Sequence, residues 1–232
     1  MKPTPQASLN SDVDRPGRLD LPLADQLKLA TWDLHKEAET TGFINQLLRG
    51  SGLIENYIWY LENLRAVYEE LESSYDWVSF YPELTFFVDR KIQRASSLAL
   101  DIDALKAATG CADRSELLPV TRKFQTTLQR ALHKRPAEML AHIYVRYLGD
   151  LNGGQILKRL ISKQFDLPDD CLTFYEFPLI ADIATFRTRF RQALNGIHLE
   201  PDDLLLTKQA AIEAFRFNIA MSKALEKRFA AK

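Results

Sequence analysis

With 232 residues, 46% of them hydrophobic, the chain can bury one sizeable core, and no interior Pro/Gly/Ser-rich linker divides it. A net charge of −1, without a basic block interleaved with aromatics, argues against a nucleic-acid partner. Cys111 and Cys171 show neither metal nor redox spacing, so they read as unpaired structural thiols in a reducing compartment.

Residues 1–20 are polar and proline-containing, with no apolar periodicity and no signal-peptide core, and are expected to form a disordered extension ahead of a domain at 21–232. From Leu23 to Thr40, Leu27, Ala30, Leu34 and Ala38 recur at helical spacing behind Pro22, and Gly42 suits the end of that helix. Lys28, His35 and Glu39 share a second face, since seven residues make nearly two turns and four make slightly more than one. A neutral imidazole there can ligate a metal, a carboxylate one turn on can fix its tautomer, and a lysine about 10 Å along the axis can meet an anion. The alternative is a solvated face with a lone histidine.

Further helices are expected at Leu53–Ser73, Asp89–Lys106, Pro119–Leu132, Pro136–Leu148, Leu151–Gln164, Asp182–Leu194 and Asp202–Arg228. Gly50-Ser-Gly, Tyr81-Pro, Arg135-Pro, Leu167-Pro and Glu200-Pro mark the breaks. Useful two-residue alternation is absent, so the fold class is all-α, a helical bundle able to hold a flat ligand between helices. No run approaches a membrane span and the chain ends without a hydrophobic tail, so a soluble protein with no membrane anchor is expected.

Gly149-Asp150-Leu151-Asn152-Gly153-Gly154 interrupts a helical pattern that resumes at Ile156. Each interior glycine costs about 1 kcal/mol relative to alanine, so this run points to a bend or to a flat object lying against the backbone. A helix C-cap followed by polar turn residues is the other reading. Among the histidines, His142 is expected to pack and bond internally, and none pairs at zinc-helix spacing. In Phe186–Leu194, Arg187, Arg189 and Arg191 crowd one helix, which suggests either an anionic partner or a solvated cationic face.

The string AHIYVRYLGDLNGG, from Ala141 to Gly154, resembles the signature of the haem oxygenase family almost position for position, and Leu23–Phe43 resembles that family's histidine-bearing first helix. The likeness runs over about residues 22 to 228 and is weakest between Trp77 and Val120. It implies a bundle with haem b between two helices, as substrate and oxygen-activating cofactor together, and His35 as the proximal iron ligand supported by Glu39. Gly149 and Gly153 then let the distal backbone approach the porphyrin. Asp150, with Arg146 and Tyr68, anchors ordered water that supplies protons, while Lys28, Tyr144, Arg187 and Arg191 set the propionates. Phe215 and Phe217 match pocket aromatics, with packing in the core as the other reading of a phenylalanine pair in a terminal helix.

By the same resemblance the products are biliverdin, as the IXα isomer, carbon monoxide and ferrous iron, made from haem, O2 and electrons from an external donor, a reductase or a ferredoxin. The likeness is to the soluble bacterial or plastid members, which implies a monomer in the cytoplasm, or in the plastid stroma of a eukaryote. A non-catalytic haem carrier or sensor on the same fold is the rival, and the Asp150 group with its flanking glycines speaks against it. A different all-α enzyme of the thiaminase type would need a cysteine and carboxylate constellation that the sequence does not offer. The chain departs from the family's usual residues at Ile143 and Asn152, which puts the volume of the distal pocket in question, and in carrying arginine at Arg187 where lysine is common.

Overall fold

Prolines mark where several helices begin, because at the first helical turn the missing N–H leaves no bond unmade. Pro119 and Pro136 occupy that position, and Pro201 opens the last helix. The structure is a computed structural model that describes residues 21–73, 82–111 and 116–227. Its helices are α1 (Leu23–Thr40), α2 (Gly42–Leu48), α3 (Ile54–Ser73), α4 (Ala95–Thr109), α5 (Pro119–Lys134), α6 (Pro136–Ile143), α7 (Gly149–Phe165), α8 (Ile183–Asn195) and α9 (Pro201–Lys227). No strand occurs among the described residues, so the all-α expectation holds. Among them, too, no helix is long and apolar enough to cross a membrane.

The helix expected at Asp89–Lys106 starts later. The Asp89 side chain accepts from the Lys91 amide at 2.9 Å and caps a 3-10 turn, and α4 begins only at Ala95. There the Glu72 carboxylate, reaching over from α3, accepts from the Arg94 and Ala95 amides and replaces a local cap. α1 ends at Thr40 with an extended Thr41 behind it, and Gly42, expected at that end, instead opens α2, where no helix was expected. The extension expected at residues 1–20, the break at Tyr81 and the last residue of the Asp202–Arg228 helix lie outside the described residues.

The break expected around Gly149–Gly154 is not one. Tyr144–Leu148 forms a π turn that joins α6 to α7 without leaving the helical path, and Gly153 and Gly154 lie inside α7. The C-cap reading therefore fails, and α7 ends instead at Asp166, which takes a left-handed conformation with φ 52°.

The core gathers around α3, whose Tyr57, Trp59, Leu61, Leu64, Tyr68 and Leu71 are fully buried. α3 packs on α4 and α5, while α9 runs along α6, α1, α2 and α5. α1 is fastened at both ends. Its Ala24 amide donates to Asn195 Oδ1 at 3.0 Å, and its Glu37 pairs with Lys223 at 2.7 Å. Beyond its last turn, Ser222 Oγ donates to the Thr41 carbonyl at 3.1 Å and accepts from the Ile44 amide at 3.0 Å. Gly42 sits inside that joint with φ 64°, and a Cβ there would lie 2.5 Å from the Ser222 carbonyl carbon. Both conformation and space require glycine.

Candidate functional site

α1 presents Lys28, Thr31, Trp32, His35 and Glu39 to one cleft, a spacing of three, one, three and four residues that is a single helical face. Of the stripe expected to bury, Leu27 is fully buried, whereas Ala30, Leu34 and Ala38 are half-buried, so the inward face is centred on Leu23, Leu27 and Thr31. Thr31 holds this register by donating its hydroxyl to the Leu27 carbonyl at 2.8 Å. The His35 imidazole is half-exposed, its Nδ1 3.6 Å from Glu39 Oε1. Nδ1 is thus the nitrogen facing a carboxylate, and Nε2 is the one available as a ligand. Phe215 of α9 stands against the His35 ring at 5.8 Å between centroids.

The opposite wall comes from the π turn and the first two turns of α7. Tyr144, Val145, Leu148, Gly149, Asn152, Gly153 and Ile156 line it, and Arg191 of α8 closes one end. π turns are rare and concentrate at functional sites, since they widen the helix by one residue. The cleft measures about 360 Å³, in the range of small-molecule sites. A Cβ built on Gly149 or Gly153 would meet nothing within 4 Å. Nothing in the protein itself demands glycine at either position, so what these residues preserve is open space opposite His35.

Behind that wall lies a polar layer. The Tyr68 hydroxyl donates to Asp150 Oδ2, joining α3 to the start of α7. Burial pushes the Asp150 carboxyl up to about 6, with Arg146, the Tyr68 hydrogen bond and Arg94 pulling it back. Tyr68 is raised in turn, first by burial and then by Asp150. Tyr60, pushed up to about 12 by burial, shares this field. The Tyr147 hydroxyl reaches Glu72 at 3.2 Å, and its ring meets Tyr68 edge-on at 5.5 Å. Arg94 spans the lower edge, donating to the Phe174 and Glu176 carbonyls.

Of the residues expected at the site, Lys28, His35, Glu39, Tyr144, Gly149, Gly153 and Arg191 line the cleft together. Asp150 and Tyr68 pair in the layer behind it, with the charge of Arg146 acting on both. Arg187 does not line the cleft but donates to Asn152 Oδ1 at 3.1 Å, and so touches a residue that does. Arg189 lies over the Phe86 ring instead.

Several expectations need correction. His142 is fully buried, yet neither ring nitrogen has a hydrogen-bond partner among the described residues; it packs edge-on against Phe124 at 5.3 Å rather than bonding internally. Burial pushes its imidazole down to about 3, so it stays neutral. Ile143 is buried in the core and does not bound the cleft, whereas Asn152 does. Phe215 faces the cleft, but Phe217 stacks on Phe124 at 4.1 Å in the interior. The sequence reading missed Thr31 and Trp32, although the spacing that found Lys28, His35 and Glu39 also selects them.

The family model described as Heme oxygenase matches residues 21–224. A heme oxygenase of Guillardia theta is 30% identical over 205 residues, covering 88% of this chain and 86% of that protein. The structure of heme oxygenase-1 from the cyanobacterium Synechocystis, in complex with heme, superposes with a TM-score of 0.83 at 29% identity, covering 90% of this chain and 94% of that one. The heme oxygenase of Leptospira interrogans does so with a TM-score of 0.80 at 28% identity, covering 88% and 100%.

Proposed function

Since this chain belongs to the heme oxygenase family, we propose that the cleft between α1 and α7 binds haem b through His35 and that the protein opens the macrocycle with O2 and external electrons to biliverdin IXα, carbon monoxide and ferrous iron. The observation that carries the reading is the open space at Gly149 and Gly153 in a cleft that an exposed histidine lines from the other helix. Haem, when bound, is both the substrate and the iron centre at which oxygen is activated.

The residues divide the remaining work. His35 offers Nε2 to the iron, and Glu39 holds the ring's other nitrogen in place. Lys28 and Arg191 supply positive charge at the cleft margin, and Tyr144 a hydroxyl, for the two propionates; Arg187 reaches the same margin through Asn152. Their placement fixes the in-plane rotation of the ring, and with it the carbon that is attacked. Gly149 and Gly153 keep side chains out of the gap on the distal face.

Asp150 is the group that takes up and releases protons beside the cleft. A carboxyl pushed up to about 6 exchanges protons readily near neutrality, and Tyr68 fixes its orientation from behind. Ordered water reaching from Asp150 to the cleft would relay protons to the reacting oxygen. The electrons come from an external one-electron donor, a reductase or a ferredoxin.

The test is an absorption titration of the purified protein with hemin, followed by a ferredoxin reducing system in air. Loss of the Soret band with growth of a broad red biliverdin band is expected. A Soret band that persists through several reductants would favour a carrier, and no Soret shift on adding hemin would refute haem binding.

A further inference from the structure

Trp32 is a large apolar side chain that the fold does not use. It stands 46% exposed on α1, outside the packed core, yet it lines the cleft beside His35. Its indole lies within 16° of parallel to the His35 imidazole, with ring centroids 6.4 Å apart. Lys28 and Lys36, one turn to either side, place their ammonium groups 5.7 and 4.9 Å from the indole centroid. Cations on both flanks of an aromatic ring are attracted to its electron-rich faces. The indole is therefore held in a defined place by charges, not by burial.

A tryptophan half in water makes physical sense where a second apolar surface comes to cover it. The surface that arrives here is a porphyrin. We infer that Trp32 contacts haem: its indole walls the His35 side of the cleft, covers the macrocycle edge next to the imidazole and keeps water from the bond between His35 and iron. It acts on substrate retention and on the setting of the His35 ring. This inference rests on haem binding as proposed above, and it assigns a role to a residue that the signature motif does not include.

The test uses the full chain loaded with hemin and follows transfer of hemin to an excess of a globin apoprotein, for wild type, Trp32→Ala and Trp32→Phe, with the melting temperature of each hemin-free protein measured in parallel. Trp32→Ala is expected to release hemin about tenfold faster, Trp32→Phe to stay within about twofold of wild type, and all three hemin-free proteins to melt together. The indole lies outside the core, so melting should not change, whereas a merely structural role would lower the melting temperature. Release from Trp32→Ala at the wild-type rate, release from Trp32→Phe as fast as from the alanine variant, or faster release accompanied by lower melting would each overturn the inference while leaving haem binding intact. Wild-type protein that takes up no hemin would overturn both, and that outcome is visible before any variant is compared.

Discussion

Tyr68 donates a hydrogen bond from its hydroxyl to Asp150, a residue 82 positions further along the chain. The bond buries one end of an acid whose other neighbours are Arg146 and Arg94, and the balance leaves its carboxyl at about 6. The folded protein therefore holds this proton more tightly than the unfolded chain does, so folding stability falls as pH rises from the ordinary carboxylate range through about 6. Asp150→Asn removes the effect. The difference in melting temperature between variant and wild type is expected to shift in favour of the variant between about pH 4 and about pH 7. A pH-independent difference would contradict the raised carboxyl. The same variant is expected to bind hemin and yield no biliverdin.

His35→Ala is expected to abolish both turnover and the low-spin ferric spectrum of the hemin complex, with partial recovery on adding free imidazole. Since His35 is half-exposed and its ring stands against Phe215 at the cleft, the melting temperature of the hemin-free variant should stay near that of wild type. An unchanged spectrum would mean that another residue ligates the iron.

Gly149→Ala and Gly153→Ala should move stability and binding in opposite directions. Each added methyl meets nothing within 4 Å, so the hemin-free protein gains up to about 1 kcal/mol from the better helix former. The same methyl occupies the gap opposite His35, and hemin affinity is expected to drop by about tenfold or more. Paired denaturation and hemin titrations separate the two signs. A gain in both would remove the argument that the glycines reserve space for a ligand.

Gly42→Ala carries the reverse expectation. Its φ of 64° and the 2.5 Å approach to the Ser222 carbonyl carbon leave no place for a methyl, so a loss of about 2 kcal/mol or more is expected in urea unfolding. A loss below about 0.5 kcal/mol would show that the joint between α1 and α9 yields easily.

The legible part of the molecule was whatever repeats with helical period. The start of α1 follows from Pro22, and its Lys28, His35 and Glu39 face follows from spacing alone. Trp32 escaped because an apolar residue is assumed to turn inward, although its position relative to Lys28 already set it on the cleft side. The glycines of the signature were legible as a cost, but whether that cost marks a break, a cap or a gap depends on what stands opposite them. Tyr147, Glu72 and Arg94 could not be found by pattern at all. Their bonds join α3, the π turn and the start of α4, and no periodicity links such distant positions.

The π turn sets the phase of everything after it. A π turn carries one residue more than the α-helical turn it replaces, so deleting one residue between Tyr144 and Leu148 would let it relax to α-helical winding with α7 near its present angle, whereas inserting a further residue would rotate α7 by about 100° against α6. Gly149 and Gly153 would swing out of the gap, and Asp150 would lose its line to Tyr68. The active surface of α7 thus depends on the residue count ahead of it as much as on residue identity.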